Sequence, residues 1–439
     1  MKRIKNFERS RELSRRAHEL IPAGAHTYSK GDDQFPFDSP GFIERGAGCR
    51  VWDVDDNEYL DWGMGLRSVI LGYGYPRVNE AVLAQIAKGT NFLRPAPVEV
   101  ELAEILTELI PSAEMVKFAK NGSNVTSAAL RLARAYTGRD YIALCKEHPF
   151  FSFDDWFIGT TPPNAGIPAA VTQHSLTFHY NDIESLKSLF DQFPNQIAAV
   201  IMEPVTLEEP KENFLAEVRD LAHKSGAVLI FDEMISGFRW HLSGAQAYFD
   251  VIPDLSTFGK AIGNGFSVSV LAGKKEIMEL GGITHSQPKV FLLSTTHGAE
   301  THSLAACIAT IQEMKDKEVV NHLWKIGAAV KDGINDLAAE MGLADFISCI
   351  GYAASPAIIT KDREGQVSMP LRTLFMQEMT AQGVLMPSVA LSFAHQQSDV
   401  DLTLEAARET FDVYGRALED GIEKYLVGPP VKPVFRKFN

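Results

Sequence analysis

Three short stretches of the sequence carry groups that are suited to chemistry on a small anionic ligand. In the first, VLIFDEMISGFRW (residues 228–240), an apolar run ends in two adjacent acids, Asp232 and Glu233. The run predicts a strand that is buried on both faces, as in a parallel sheet. Because ligands bind beyond the carboxyl ends of such strands, Asp232 is a candidate partner for a cationic group of a ligand. A salt bridge to Arg239 or a helix N-cap is the alternative, since an unpaired buried carboxylate is costly.

The second stretch, PDLSTFGKAIGNGFSVSVLAG (residues 253–273), places Lys260 among apolar and small residues. Burial at such a place lowers the pKa of a lysine and makes its amine a usable nucleophile. Gly263 and Gly265 would let a flat ligand approach the backbone closely. The alternative is an ordinary lysine in a surface loop.

The third stretch, KNGSNVTSAALRLARA, contains Gly122 and Ser123 in a short turn between a predicted strand and a predicted helix. Free backbone N–H groups and the positive end of the helix dipole make such a turn an anion cradle. Ordinary capping of the helix by Asn121 or Ser123 is the alternative.

Together, the three stretches describe one ligand that has a phosphate, an aldehyde and a cationic ring nitrogen. Pyridoxal 5′-phosphate has all three groups, and a carboxylate beside its ring nitrogen keeps that nitrogen protonated. This cofactor would explain why a buried strand ends in Asp232.

The elements that must position these groups follow an alternating pattern from about residue 115. Apolar strands such as MVKFAK and DYIALC alternate with amphipathic helices, one of which is predicted to end at Gly138 as a C-cap. The helix Asn213–Lys224 places Leu215, Val218 and Ala222 on one face. This order predicts an α/β fold with a large, mainly parallel sheet and helices on both faces.

The domain organisation is predicted from the same pattern. Residues 1–65 are expected to contribute to a small α+β domain, residues 66–320 to form the large cofactor-binding domain, and residues 321–439 to form the rest of the small domain. A chain of 439 residues is long enough for this arrangement.

Composition excludes several classes of protein. A net charge of −14 argues against a nucleic-acid binder, which needs a basic face. No apolar run is long enough to span a membrane, and the charged start of the chain lacks a signal core. The four cysteines are far apart, so neither a metal site nor a disulfide frame is predicted, and reduced thiols indicate a cytoplasmic protein.

The quoted stretches, with GAGCRVWDVDDNEYLDW near the start and DVDLTLEAARETF near the end, resemble the class III aminotransferases. These are fold-type I enzymes that use pyridoxal phosphate, and the resemblance includes the glutamate-1-semialdehyde 2,1-aminomutases. It implies a seven-stranded large domain and a homodimer with shared active sites. By position, Lys260 matches the lysine that forms the Schiff base, Asp232 the partner of the ring nitrogen, and Met234 an apolar residue on one ring face.

The resemblance also implies further cofactor contacts. Gly122 and Ser123 match the phosphate turn, and Thr296 matches a threonine that reaches the phosphate of the neighbouring subunit. Glu203 matches a glutamate near the active site, and Phe150 is the best match to an aromatic residue that stacks on the ring.

The chain departs from the aminomutases in the segment MPSVALSFAH, which carries no acid between Met386 and His395. This departure favours a transaminase that works by a ping-pong mechanism, with an amino acid donor, expected to be L-glutamate, and an aldehyde or ketone acceptor. The aminomutase is the alternative, and a non-catalytic regulator of the same fold is a second one. A nucleotide-binding loop at Gly263–Gly265 is disfavoured, because the motif does not open a helix after a strand.

The acceptor is expected to be a small carbonyl compound, and one branch of the family suggests an oxidised sugar acid for bacterial surface polysaccharide. Asp154, Asp155 and Trp156 would then contact hydroxyl groups, although a solvated loop is the alternative. Other polar residues are weaker candidates, with structural ion pairs or core positions as alternatives. They are Arg67, Arg94, Arg239, His148, His297 and His395.

Overall fold

A computed structural model describes residues 3–438, so residues 1, 2 and 439 of the predicted domains lie outside the described part. The chain forms two compact units. The first combines residues 3–75 with Asn321–Val434, and the second combines Pro76–Val320 with residues 435–438.

These boundaries differ from the predicted ones at two places. Residues 66–75 belong to the first unit, because Tyr73 and Gly48 exchange two backbone hydrogen bonds of 2.7 and 2.9 Å. Residues 435–438 belong to the second unit, since Phe435 packs against its aromatic side chains. Neither long-range contact leaves a pattern in the local sequence.

The first unit begins with a helix and a small antiparallel sheet. Asp53 accepts hydrogen bonds from the backbone N–H groups of Asp55 and Asn57, which closes the turn between the second and third strands. The elements are α1 Glu8–Leu20, β1 Ile43–Ala47, β2 Arg50–Asp53, β3 Glu58–Asp61 and the short α2 Met64–Arg67.

The helices between residues 76 and 316 belong to the second unit. Helix α5 has 16 residues, and its N-cap Asn121 accepts a hydrogen bond from the N–H of Asn124. It ends at Gly138, the predicted C-cap, which has a φ of 67°. The helices are α3 Pro76–Ile86, α4 Pro97–Leu109, α5 Gly122–Thr137, α6 Asp155–Ile158, α7 Ala169–Thr172, α8 Ile183–Gln192, α9 Phe214–Lys224, α10 Ala245–Tyr248, α11 Lys275–Met278 and α12 Thr301–Asp316.

The strands of this unit form one large sheet. They are β4 Met115–Ala119, β5 Tyr141–Cys145, β6 Ser175–Phe178, β7 Ile197–Met202, β8 Val228–Asp232, β9 Leu255–Phe258 and β10 Ser269–Gly273. Within the described residues their order is β4-β10-β9-β8-β7-β5-β6. Strands β5 to β9 pair in parallel, and β10 runs antiparallel between β4 and β9. The predicted α/β fold with a mainly parallel sheet is therefore confirmed.

The sheet is covered on both faces, which explains why β7 is apolar throughout and β8 is apolar as far as Asp232. Every residue of β7 and β8 is buried. Ile142 and Leu144 of β5 pack on the side of α5, while Ala143 and Cys145 pack on the side of α8 and α9. The carboxyl ends of the parallel strands meet at one edge, where the polar residues collect.

The first unit is completed by the elements after residue 318. Strand β13 pairs in parallel with β3, with Val384 opposite Leu60, and this pairing joins the two ends of the chain. The elements are α13 Val319–Glu340, β11 Ile347–Ile350, β12 Ala357–Thr360, α14 Met369–Ala381, β13 Val384–Leu385 and α15 Gln397–Asp420. In residues 3–438, no helix combines the length and the apolar character needed to cross a bilayer.

Candidate active site

The ends of three adjacent strands bring together polar residues that are far apart in the sequence. Met202 of β7 lies opposite Phe231 of β8, so Glu203 and Asp232 follow side by side. Asp232 lies opposite Thr257 of β9, and Lys260 comes three residues after Thr257. The register of the sheet thus places the predicted amine and carboxylate at one edge.

Asp232 is almost completely buried, and its carboxylate is only partly compensated by the protein. Oδ1 accepts hydrogen bonds from the Met234 N–H at 3.0 Å and from the Thr257 hydroxyl at 3.1 Å. Within residues 3–438 both of its hydrogen bonds end on Oδ1, and no arginine pairs with it. Burial raises the pKa of Asp232 to about 6, against the opposing effects of these donors and of the Lys260 charge. The alternative of a salt bridge to Arg239 is therefore wrong, and Oδ2 fits a cationic N–H group.

The adjacent acid, Glu233, has a different environment. Its carboxylate accepts from the Ser236 hydroxyl at 2.8 Å, from the N–H groups of Ala245 and Gln246 at 2.6 and 2.9 Å, and from the Gln246 amide at 3.2 Å. Burial raises the pKa of Glu233, while these donors act in the opposite direction. Glu233 therefore holds the loop from β8 to α10 together, and only Asp232 retains acceptor capacity for a ligand.

Lys260 begins a 3₁₀ turn that follows β9. Its φ is 44°, in the left-handed region that non-glycine residues seldom adopt, and such strain is concentrated at functional sites. The lysine is half-buried, and its positive charge acts on the Asp232 carboxylate. The alternative, a fully exposed lysine in a surface loop, does not describe Lys260.

The predicted anion cradle lies next to this pair. Gly122 and Ser123 form the first turn of α5, and a Cβ on Gly122 would lie 3.2 Å from Sδ of Met234. Ser269 donates from its hydroxyl to the Asn121 carbonyl at 2.8 Å, which fixes the residue before the helix. The free N–H groups of a 16-residue helix are thus held beside the loop that follows Asp232.

Ser123 itself contacts the protein. Its Oγ accepts from the Phe153 N–H at 3.0 Å, and its side chain is buried. Because the hydroxyl only accepts in this contact, its O–H can still donate, so the hydroxyl and the backbone N–H of Ser123 are both suited to anion binding.

The remaining predicted cofactor contacts lie in different environments. Glu203 is buried, and its N–H donates to Nδ1 of His148 at 2.9 Å. Phe150 is 48% exposed, whereas the neighbouring Phe151 is buried. Thr296 is exposed in a loop, where its carbonyl accepts from Asn91 at 3.0 Å.

Several weaker candidates have structural roles. His148 and His395 are buried, and burial lowers the pKa of these imidazoles to about 3 and about 4, respectively, so both are neutral. His395 also stacks on Trp62 with ring centroids 4.1 Å apart. The indole N–H of Trp156 donates to the Ser127 hydroxyl at 2.8 Å, and that hydroxyl donates to Asp154.

The other weak candidates are distributed over both units. His297 pairs with Glu300 at 3.0 Å, and Arg94 is exposed. Arg239 is buried and donates to the Ile235 carbonyl at 3.2 Å. Within the first unit, Arg67 donates to the Ser355 hydroxyl at 2.5 Å. None of these contacts identifies a substrate-binding residue.

Two residues that shape the candidate site were not proposed as site residues from the sequence. Thr257 donates to Asp232, and Glu233 anchors the loop beyond it. For Thr257, the sequence did contain a signal, because a polar residue inside the buried strand LSTF is unusual. The part of the chain that the structure describes contains no cluster of side chains that could hold a metal ion.

The chain resembles known proteins over most of its length. The family described as aminotransferase class-III matches residues 28–392. A glutamate-1-semialdehyde 2,1-aminomutase of Bacillus subtilis is 32% identical over 431 residues, which cover 93% of this chain and 99% of that protein.

Solved structures resemble the chain over a similar length. The FumI protein of Sphingopyxis sp. MTA144, solved as its PLP internal aldimine form, gives a TM-score of 0.86 at 28% identity and covers 94% of this chain and 97% of its own. An omega-transaminase of Sphaerobacter thermophilus gives a TM-score of 0.84 at 26% identity, and the match covers 92% of this chain and 98% of that protein.

Proposed function

The chain belongs to the class-III aminotransferases, and on that premise we propose that it uses pyridoxal 5′-phosphate to move an amino group from an amino acid donor to an aldehyde or ketone acceptor. One observation carries the proposal. A half-buried lysine and an incompletely compensated carboxylate lie at adjoining strand ends, beside a helix N-terminus that can bind phosphate. These groups match the carbonyl, the ring nitrogen and the phosphate of that cofactor.

The bound cofactor supplies a carbonyl that bonds covalently to an amine and a ring that accepts electrons from the substrate. Lys260 provides the amine and carries the proton between substrate and cofactor carbons. Asp232 holds a proton on the ring nitrogen through Oδ2. The backbone N–H groups of Gly122 and Ser123 bind the phosphate.

The flat faces of the ring require apolar neighbours. Met234 is suited to one face, because it lies between the cradle and the residue before Lys260: a Cβ on Gly259 would be 2.6 Å from its sulfur. Phe150 is suited to the other face because it is partly exposed. Glu203 borders the site as the neighbour of Asp232.

We further propose a homodimer in which Thr296 contacts the phosphate bound by the partner subunit. The exposure of Thr296 and of its loop supports this role. Mixing Lys260→Ala and Thr296→Ala proteins tests it: subunit exchange would restore one complete site per mixed dimer and hence part of the activity. Activity that stays at the level of the unmixed variants would contradict the sharing of sites.

The acid-free segment 386–395 supports a transaminase, with L-glutamate as the proposed donor and an oxidised sugar acid as one possible class of acceptor. In the first unit this segment is internal: Val389 and Leu391 are buried, and His395 accepts the N–H of Ser392 at 3.1 Å. The omega-transaminase relative agrees with this proposal.

A second candidate is the isomerisation of glutamate 1-semialdehyde within one molecule. The names of relatives from Bacillus subtilis and Desulfitobacterium hafniense favour this aminomutase activity over transamination. Incubation of the purified holoenzyme with L-glutamate distinguishes the two. A transaminase releases 2-oxoglutarate in an amount equal to the enzyme, whereas a strict aminomutase releases none.

The role of Lys260 is tested by Lys260→Ala. We expect this variant to lose turnover and the visible absorbance of lysine-bound cofactor, while its circular dichroism spectrum is unchanged. Borohydride reduction followed by peptide mapping should label Lys260 in the wild-type protein. A label on a different lysine would contradict the assignment.

A further inference from the structure

Residues 435–438 return to the second unit and place an aromatic side chain against Phe150. The rings of Phe435 and Phe150 are stacked, with centroids 6.4 Å apart and planes 27° apart. Phe435 also meets Phe157 edge-on at 6.1 Å, and Phe157 meets Phe150 edge-on at 5.7 Å. These separations lie in the range of favourable aromatic pairs. The three rings form one group, which we name the aromatic wall.

The backbone beside the wall is tied to the first turns of α5. Ser123 accepts from the Phe153 N–H at 3.0 Å, and Thr126 donates to the Phe151 carbonyl at 3.0 Å. The backbone on the C-terminal side of Phe150 is therefore held close to the anion cradle. Within the described residues, Phe157 and Phe435 are the aromatic rings that contact the Phe150 ring, so both contribute to its orientation.

We propose that Phe435 is a positioning residue that holds the Phe150 ring in the orientation needed to cover the cofactor. This inference rests on the proposed function, in which Phe150 covers one face of the pyridoxal ring. Phe150 is 48% exposed, so part of its ring remains available to a ligand while Phe435 and Phe157 support it.

The sequence position of Phe435 sets it apart from the other two rings of the aromatic wall. The region matched by the family ends at residue 392, so Phe435 lies outside it. Residues 321–434 belong to the first unit, yet Phe435 packs in the second. The chain thus uses a residue beyond the family region to complete a wall beside the family's site.

A first experiment tests the packing in cofactor-free protein, where it does not depend on the proposed function. Phe435→Ala is compared with Phe438→Ala, a matched control because Phe438 is 78% exposed. We expect the backbone amides of residues 150–153 to exchange hydrogen several-fold faster in Phe435→Ala and at the wild-type rate in Phe438→Ala. Equal exchange in the two variants would overturn the proposal.

A second experiment measures the affinity for pyridoxal phosphate by titration of the cofactor-free proteins. Phe435→Ala and Phe150→Ala are each expected to raise Kd by about 3- to 10-fold, the range of one aromatic pair. Because Phe435 acts through Phe150, the double variant should bind no more weakly than Phe150→Ala. Phe435→Leu should recover part of the affinity.

The outcomes separate this inference from the proposed function. Multiplicative effects in the double variant, or a Kd for Phe435→Ala equal to that of Phe438→Ala, would show that Phe435 does not act through Phe150. A wild-type protein without affinity for pyridoxal phosphate would refute the proposed function and, with it, the cofactor role of the wall. The exchange experiment would still decide whether Phe435 orders residues 150–153.

Discussion

The carboxylate of Asp232 is expected to destabilise the cofactor-free protein, and Asp232→Asn should relieve this cost. Burial raises the pKa of Asp232 from 3.8 to about 6. The folded state therefore binds this proton more tightly than the unfolded state does. The cost of ionisation is fully present above pH 6 and fades as the pH falls toward 4. A difference of roughly two pKa units corresponds to about 3 kcal/mol at pH 8.

The geometry makes asparagine a suitable replacement. Its side-chain oxygen can keep the hydrogen bonds from Met234 and Thr257, while the NH₂ group replaces Oδ2. A free energy of about 3 kcal/mol shifts the unfolding temperature of a unit of this size by roughly 6–12 °C. We expect Asp232→Asn to raise the melting temperature at pH 8 by up to this amount.

The assay is thermal unfolding of the cofactor-free wild type and variant at pH 8 and pH 5, with calorimetry as the measurement. The gain at pH 5 should be about half of that at pH 8, because much of the wild-type carboxylate is then protonated in the folded state. Asp191→Asn in α8 is the control, since Asp191 is exposed to solvent. Added pyridoxal phosphate should stabilise the wild type more than Asp232→Asn, because only a carboxylate pairs with a protonated ring nitrogen.

One result would refute this reasoning. If Asp232→Asn melts at or below the wild-type temperature at pH 8, with no change in the difference at pH 5, the protein itself already neutralises Asp232. A cationic ligand would then not be required to compensate Asp232, and Oδ2 would no longer be expected to pair with a ring nitrogen.

Two further predictions concern the neighbours of Asp232. Glu233→Ala should leave two buried backbone N–H groups of α10 without an acceptor, which costs about 1–3 kcal/mol for each group. Hydrogen exchange of these two amides should therefore accelerate at least fivefold. The control Glu104→Ala, at an exposed position in α4, should leave their exchange unchanged. Gly122→Ala would place a Cβ 3.2 Å from the Met234 sulfur, so we expect a rise in Kd for pyridoxal phosphate of roughly threefold or more with little change in melting temperature. An unchanged Kd would show that Met234 moves freely and does not shape the site.

The sequence predicted much of the second unit because its signals are local. The buried run of β8, the helix from Gly122 to Thr137 and its left-handed cap at Gly138 all follow from hydrophobic pattern and capping chemistry. Asp232 and Lys260 were also recognisable, because a strand-end acid and a lysine among glycines each stand out from their neighbours.

The different environments of the two adjacent acids were not predictable from the sequence. Asp232 and Glu233 have the same charge and nearly the same position, yet Glu233 is bound by donors from α10. Those donors come from residues 245 and 246, and only the folded loop brings them within reach. The support of Phe150 by Phe435, 285 positions away, escaped prediction for the same reason.

The sequence by itself determined strands β4, β5 and β8, helices α5 and α9, the acid that ends β8 and the lysine that lies after β9. These depend on interactions between residues a few positions apart, which composition and periodicity encode. Only the tertiary structure decided that β8 and β9 are neighbours, that α5 begins beside Met234, and that Phe435 reaches the aromatic wall. Such contacts depend on strand order and register, which are set by packing over the whole chain and leave no periodic trace in any one segment.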